Sequence, residues 1–216
     1  MDKVKGKFIT FEGSEKSGKS TQAELLVPYL RKKGYETVFV REPGSTQIGE
    51  KIRCLLLDIN HQEMFILTEM LLYMAARAQL VEEVIKPALN AGAIVLCDRF
   101  YDSTLAYQGF GAGLDQDVIR AVNDVATDAV KPDLTLLLDF FMSAESLKNE
   151  SSRDRIEMRS DLFHERVKQG YFELAKQEPA RIKIVKVAKS IDETQSLIRE
   201  IVDQCLLKKS SGKTQP

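Results

Sequence analysis

Residues 13–21 read Gly-Ser-Glu-Lys-Ser-Gly-Lys-Ser-Thr and match the pattern G-x-x-x-x-G-K-[ST]. An apolar stretch, residues 8–11, precedes this pattern, and a helical pattern that ends at Gly34 follows it. In such a loop the glycines let backbone N–H groups face inward, and the helix N-terminus adds partial positive charge. The context therefore predicts a phosphate-binding loop for a nucleoside triphosphate, and a Gly/Ser-rich surface turn is the alternative reading of the bare pattern.

Two side chains of this loop are of the types that phosphate chemistry requires. Lys19 can reach the outer phosphates of a triphosphate, and the Ser20 hydroxyl can ligate a magnesium ion that bridges them. We therefore expect Mg²⁺ as a cofactor. The residues predicted to bind the triphosphate are Gly13, Ser14, Glu15, Lys16, Ser17, Gly18, Lys19, Ser20 and Thr21.

The chain has 216 residues, of which 44% are hydrophobic, and a formal net charge of −1. This length suits one α/β domain with a full core, predicted over residues 1–208, followed by a disordered tail at 209–216. A charge so close to neutral argues against a nucleic-acid partner. No apolar run approaches the roughly 20 residues of a membrane span, so no membrane partner is expected.

The cysteines indicate the compartment. Cys54, Cys97 and Cys205 are widely spaced and odd in number, which fits neither a disulfide framework nor a zinc site. Such a chain is typical of a reducing cytosol. The N-terminal residues 1–5 also lack the apolar region of a signal peptide, so we expect a cytoplasmic protein.

Five segments have the composition of buried strands in a parallel sheet, and helical patterns lie between them. This alternation predicts a doubly wound α/β layer with helices on both faces of the sheet. The first helix is expected over Lys19–Lys33, and Ser190 with Glu193 forms a capping box for the last helix. The five predicted strands are Lys7–Glu12, Glu36–Arg41, Ile94–Cys97, Leu134–Asp139 and Lys183–Val187.

Charged residues follow the second and third strands, where an α/β phosphate-handling enzyme places its chemistry. Arg41 ends the second strand and is expected to face the crevice, although it is alternatively a loop arginine on a turn. Asp98 follows the third strand and can hold a water of a magnesium shell. Arg99 can bridge two phosphate groups, while a simple ion pair with Asp98 is the alternative.

The longest helical pattern, residues 63–86, carries two features. Tyr73 and Arg77 are four residues apart, so a ring and a guanidinium could sandwich a nucleobase; an ordinary cation–π contact is the alternative. An apolar stripe is predicted to pack on the protein's own sheet or, alternatively, on a helix of a second subunit. The stripe contains Leu67, Leu71, Met74, Ala78, Val81 and Ile85.

Two further clusters complete the candidate site. Ser103 and Tyr107 are one helical turn apart and could face one ligand, and Gln108 can hydrogen-bond a base edge. Residues 149–158 are polar and short of apolar anchors, as a small mobile lid is. Arg153 and Arg155 could swing over the phosphates when this lid closes, although a solvated charged linker is the alternative.

Taken together, these motifs resemble the thymidylate kinases, the phosphate-loop enzymes that phosphorylate dTMP. The resemblance covers nearly the whole chain and includes the phosphate loop, the sequence Arg-Glu-Pro-Gly at 41–44 and the helix at 71–79. Its most specific part is Asp98-Arg99-Phe100 followed by Ser103 and by Ala-Tyr-Gln-Gly at 106–109. It implies a phosphate-loop nucleotide kinase fold, ATP as donor with Mg²⁺, dTMP as acceptor in dTTP biosynthesis, and a homodimer.

The resemblance also implies roles for individual residues. Tyr73 would stack on thymine, Arg77 would bind a thymine carbonyl, and Tyr107 would lie beneath the sugar. Glu15 would reach the 3′-hydroxyl region, while Arg41 and Arg99 would hold the acceptor phosphate. The implied dTMP-binding set is Glu15, Arg41, Leu57, Tyr73, Arg77, Arg99, Ser103, Tyr107 and Gln108, and the catalytic set is Lys16, Lys19, Arg99, Arg153 and Arg155.

One departure concerns the catalytic cation. This chain has Lys16 in the loop as well as Arg153 and Arg155 in the lid, and so mixes two patterns that family members keep apart. Our hypothesis at this stage is that the lid arginines dominate, because guanidinium matches phosphoryl oxygens better than ammonium does. Rival interpretations are a kinase for another pyrimidine monophosphate, such as dUMP, and a GTPase-like switch or ATPase motor.

Overall fold

A computed structural model of the protein describes residues 6–140 and 154–207. Its five parallel strands lie in the order β2-β3-β1-β4-β5, which confirms the predicted α/β sheet. The predicted boundaries differ from the observed ones by at most one residue. The strands are β1 Lys7–Glu12, β2 Thr37–Arg41, β3 Ile94–Asp98, β4 Leu134–Asp139 and β5 Ile182–Lys186.

Helices connect the strands and cover the sheet. Two stretches have π-helical hydrogen bonding, Val81–Ile85 after α3 and Leu105–Gly111 after α5, and we call the second the π segment. Such stretches are frequent at functional sites. The helices are α1 Lys19–Lys32, α2 Gln47–Leu57, α3 Ile66–Leu80, α4 Lys86–Asn90, α5 Tyr101–Thr104, α6 Gln116–Thr127, α7 Asp161–Gln177 and α8 Ile191–Leu207.

Each face of the sheet has its own apolar core. Successive strand residues point to opposite faces, so Phe8 of β1 joins one core and Ile9 joins the other. Helices α1 and α8 cover the Ile9 face, and α3, the π segment and α7 contribute to the Phe8 face. The predicted cap of α8 is present, because Ser190 Oγ accepts a hydrogen bond from Glu193 N at 3.1 Å.

The apolar stripe of α3 divides into two parts. Val81 and Ile85 are fully buried, as packing on the protein's own sheet requires. Leu67 and Leu71, one and two turns into α3, are 51% and 49% exposed. Packing within the chain therefore accounts for only the later part of the stripe.

Helix α7 lies directly against the π segment. A Cβ added at Gly111 would be 2.7 Å from Phe163 Cε2, and one added at Gly170 would be 2.7 Å from the Phe110 side chain. Two glycines thus allow the two elements to approach more closely than side chains would permit. This contact brings Tyr171, the neighbour of Gly170, to the carboxyl end of the sheet.

Among the described residues, no helix combines the length and the apolar character that a membrane crossing requires.

Candidate active site

A cleft opens at the carboxyl ends of the strands and gathers residues from most of the predicted motifs. All nine residues of the implied dTMP-binding set line it, together with Lys16, Lys19, Ser20 and Asp98. The cleft is also lined by residues to which the sequence had assigned no role: Glu42, Pro43, Arg53, Phe100, Thr104, Asp154, Ile156 and Glu157.

The phosphate loop has the backbone that its glycines predict. Gly18 adopts φ 87° immediately before α1 begins, and Gly13 adopts φ 133° where a Cβ would lie 2.7 Å from Leu138 O. A second cavity lies on the other side of the loop. Its lining includes Lys16, Ser17, Gly18, Thr21, Phe140, Val187, Ala188, Lys189 and Ser190. The loop thus borders two cavities, and Lys16 lines both of them.

Lys19 is nearly buried at the base of the loop. Its Nζ donates to the carbonyl oxygen of Ser14 and, at 3.3 Å, to Ser17 Oγ. Burial, with Arg99 as a second cause, lowers the pKa of Lys19 to about 8. This ammonium group is thus easier to deprotonate than a solvated one until an anion binds beside it.

Oxygen atoms next to Lys19 suit a hard divalent cation. Ser20 Oγ donates to Asp98 Oδ2, while Asp98 Oδ1 is buried without a hydrogen-bond partner among the described residues. A buried carboxylate oxygen without a partner is costly. Hydroxyl and carboxylate oxygens are the donors that Mg²⁺ prefers, and Mg²⁺ keeps several waters that could satisfy Oδ1.

Arg99 is held by four side chains at the end of β3. Its backbone has φ 68°, a left-handed conformation that is uncommon outside glycine. The Nη1 atom donates to Ser103 Oγ at 3.2 Å and to Tyr171 Oη at 3.1 Å. The Nη2 atom donates to Glu15 Oε1 at 3.0 Å and to Tyr107 Oη at 3.2 Å. A guanidinium with partners on both nitrogens is fixed in direction as well as position.

Glu12 lies beneath this arginine and is fully buried. Its Oε1 accepts from Phe100 N at 2.8 Å, and its Oε2 accepts from Ser103 Oγ at 2.6 Å and from Tyr171 Oη at 2.9 Å. Burial raises the pKa of Glu12 to about 7, with the charge of Asp102 as a second cause. Glu12 therefore anchors the two hydroxyl groups that orient the arginine.

Glu15 extends from the phosphate loop into the same cluster. Burial alone would raise its pKa, but the charge of Arg99 and a hydrogen bond from Tyr107 hold the pKa below its ordinary value. An acid among phosphate-binding groups would repel the ligand unless it were paired. The ion pair with Arg99 at 3.0 Å supplies that pairing.

Arg77 is buried at the other end of the cleft. Its Nη2 lies 2.7 Å from Glu42 Oε1 and donates to Thr104 Oγ1 at 2.9 Å, while Nη1 donates to Asn123 Oδ1. The guanidinium lies over the ring of Phe100, 5.3 Å from its centroid. Its Nε is buried and has no hydrogen-bond partner among the described residues.

Two of the other predicted groups lie where the cleft is more open. Arg41 is exposed and donates from Nη2 to both carboxylate oxygens of Glu50, at 3.1 and 3.0 Å. Tyr73 is half-buried on the wall of the cleft, without a ring contact to Arg77. Tyr73 and Arg77 thus both line the cleft, and Arg77 lies over the Phe100 ring.

The predicted lid arginines have a different setting from the one expected. Arg153 lies outside the described residues. Arg155 is only 4% exposed, and it donates to Leu56 O at 2.8 Å and to Glu69 Oε2 at 2.5 Å. The expectation of a freely swinging, solvated Arg155 is therefore corrected: an ion pair with a buried acid holds it. Its catalytic role stays a prediction that would require this pair to break.

Sequence reasoning missed three residues that organise the cleft. Glu12 and Glu69 are acids within largely apolar stretches, and that was an available signal, because a buried charge needs a partner. Tyr171 lies in an amphipathic helix and had no comparable signal. Its position depends on the packing of α7, which the sequence pattern does not determine.

The lowered pKa of Lys19 gives a testable dependence of ATP affinity on pH. A bound triphosphate favours the ammonium form, so binding above pH 8 must take up a proton. The dissociation constant for ATP should rise by up to about tenfold per pH unit above that pH. Titration calorimetry in buffers of different ionisation heat would detect the uptake, and Lys19→Met should abolish it. Constant wild-type affinity up to about pH 9.5 would contradict this assignment.

Comparison with known proteins shows which family the chain belongs to. A family model described as thymidylate kinase matches residues 11–198. The chain is 48% identical to a thymidylate kinase of Exiguobacterium sp. AT1b over 98% of this chain and 100% of the relative. It is 44% identical to the thymidylate kinase of Symbiobacterium thermophilum over 95% of this chain and 96% of the relative. The crystal structure of thymidylate kinase from Ehrlichia chaffeensis superposes with a TM-score of 0.76 at 35% identity, covering 92% of this chain and 99% of that one. The chain belongs to the thymidylate kinase family.

Proposed function

We propose that the protein transfers the γ-phosphoryl group of ATP to the 5′-phosphate of dTMP and releases dTDP and ADP, a step of dTTP biosynthesis. The observation that carries this proposal is the arrangement of the two cavities. The phosphate loop separates them, and Arg99 lies in the acceptor cleft between the loop and a flat pocket bounded by Tyr73 and Arg77. Membership of the thymidylate kinase family supports the same reaction.

The reaction needs charge compensation more than proton transfer. The second pKa of a phosphate monoester is near 6, so the acceptor oxygen is largely ionised at neutral pH and needs no general base. The obstacle is the repulsion between two anions. Lys19, Arg41 and Arg99 face the cleft and would offset this repulsion while they align the reacting groups.

A magnesium ion would fit beside the loop. Ser20 would ligate it directly, and Asp98 would hold one of its waters through the buried oxygen that has no partner. When bound, the ion would neutralise charge on the transferring phosphoryl group.

Thymine recognition would use the far end of the cleft. Tyr73 would stack on the ring, and Leu57 would line the pocket beside it. The guanidinium of Arg77, which lines the cleft, would donate to a thymine carbonyl. Ser103 belongs to the implied dTMP-binding set, but its setting points to a different role. Its hydroxyl is bound to Glu12 and Arg99, so we assign it to the positioning of the arginine.

The exposed part of the α3 stripe supports a homodimer. Leu67 and Leu71 of α3 are about half exposed, as are Leu55 of neighbouring α2 and Val118 of neighbouring α6. Helices with unburied apolar side chains on one face are commonly subunit interfaces. A cytoplasmic location is supported by Cys54, Cys97 and Cys205, none of which forms a disulfide within residues 6–140 and 154–207.

The proposed reaction is tested by the dependence of ATP turnover on the acceptor. ADP release, measured by a coupled assay, should require both dTMP and Mg²⁺. The variant Arg99→Met should show no ADP release. Thymidine, which lacks the acceptor phosphate, should not support turnover. ATP hydrolysis at the same rate with and without dTMP would instead indicate an ATPase or a switch protein.

The buried position of Arg155 leads us to prefer Lys16 as the main catalytic cation, in place of the lid arginines. Lys16 lines both cavities, whereas Arg155 is bound to Glu69. In single-turnover measurements we expect Lys16→Ala to slow phosphoryl transfer by about 10²-fold or more. Arg155→Ala should instead lower the thermal midpoint and change the transfer step much less.

Arg153→Ala measured in parallel completes the comparison. If Arg153→Ala or Arg155→Ala loses the chemical step while Lys16→Ala retains it, the lid arginines dominate and our preference for Lys16 is wrong.

A further inference from the structure

Glu69 of α3 is an acid with no exposed surface and three hydrogen-bond donors around it. Its Oε1 accepts from Gln108 Nε2 at 2.8 Å. Its Oε2 accepts from Arg155 Nη2 at 2.5 Å and from Arg159 Nη2 at 2.7 Å. The carboxylate therefore connects Gln108, which lines the acceptor cleft, to the end of the predicted lid at Arg155 and to Arg159 just after it.

The chemistry of a carboxylate determines how the amide of Gln108 is turned. Glu69 forms ion pairs with Arg155 and Arg159, and a carboxylate in an ion pair can only accept hydrogen bonds. The amide nitrogen of Gln108 must then face Glu69, because the reversed amide would place two oxygens against each other. The amide oxygen of Gln108 is left on the other side.

That oxygen is available to a ligand. Gln108 lines the acceptor cleft. Its Oε1 atom has no described hydrogen bond, and it is not completely buried. Arg77 also lines the cleft, and its guanidinium can only donate hydrogen bonds. The cleft therefore presents an acceptor from Gln108 and a donor from Arg77.

An acceptor next to a donor matches one kind of pyrimidine. Thymine and uracil carry a ring N3–H donor next to the O4 acceptor. Cytosine has the opposite pattern, with an acceptor at N3 and an amino donor at N4. A fixed amide oxygen would therefore favour the first pattern and leave two acceptors opposed in the second.

We propose that Glu69 is a positioning residue that holds the amide oxygen of Gln108 toward the acceptor base and so makes the site select pyrimidines with an N3–H donor over cytosine. The inference rests on the proposed function. In it, an acid that does not line the cleft determines which hydrogen-bonding pattern of the base the site accepts. Arg155 and Arg159 serve this role indirectly, because both donate to Oε2 of Glu69 and leave Oε1 to Gln108.

The test is the ratio of kcat/KM for dTMP to kcat/KM for dCMP. In Glu69→Gln the neutral side chain can either donate to or accept from Gln108, so the amide is no longer held in one orientation. The ratio should fall by about 10- to 100-fold, mainly through a higher KM for dTMP. In the Gln108→Leu background, Glu69→Gln should cause no further fall, because the two residues act as one unit.

Arg159→Met is the matched control. It removes one charged partner of Glu69 but keeps the second arginine and the contact with Gln108, so the ratio should stay within about twofold of the wild-type ratio. Glu69→Asp keeps an acceptor-only group and should retain most of the discrimination. If Glu69→Gln lowers turnover of dTMP and dCMP equally, Glu69 is structural only and the proposal is wrong.

A measurement on the wild-type protein covers the case in which Glu69→Gln does not fold. In a crystal structure with dTMP, the Gln108 amide should lie within hydrogen-bond distance of thymine N3 and still contact the Glu69 carboxylate. Separation of Gln108 from Glu69 in that complex would overturn the proposal. Wild-type turnover of dTMP separately decides whether dTMP is the acceptor, so failure of the proposed function can be told apart from failure of this inference.

Discussion

The fixed guanidinium of Arg99 is the interaction on which the arrangement of the cleft depends. The third strand ends one residue earlier, and the left-handed backbone at Arg99 turns the side chain into the cleft. Glu15 from the phosphate loop, Tyr107 from the π segment and Tyr171 from α7 all bind it. Because the guanidinium stays charged at any relevant pH, it can pair with Glu15 in the free protein and with a phosphate group when a ligand is bound.

Charge is balanced around the cleft before any ligand arrives. Lys19 and Glu12 are buried, and Arg99 and Glu15 beside them are partly buried. Desolvation makes each charge costly, so each group shifts in pKa or finds a partner, and of the two cations Lys19 loses its proton more readily. Two bound anions would stabilise the charged form of every cation in the site. Binding and alignment of the phosphates therefore account for most of what the site can do.

Sequence alone predicted the sheet and most of the cleft, because those features depend on local patterns. Strand composition gave the boundaries to within one residue, and motif chemistry identified the phosphate loop and Asp98. Contacts between distant residues could not be obtained in this way. Arg155 and Glu69 are 86 positions apart, and Gln108 is 39 positions from Glu69. The composition of residues 150–157 indicates that the segment is polar and charged. It does not indicate that one of these residues pairs with a buried acid. That pairing depends on how α3 and the turn before α7 meet.

The most direct test of the role of Arg99 compares dTMP with thymidine by titration calorimetry. The ratio of their affinities isolates the contribution of the acceptor phosphate. In Arg99→Met we expect this ratio to fall by about 10- to 100-fold, because a charge-assisted hydrogen-bonded contact is lost, while the affinity for thymidine changes little. An unchanged ratio would show that the phosphate is held elsewhere and would contradict the central position given to Arg99.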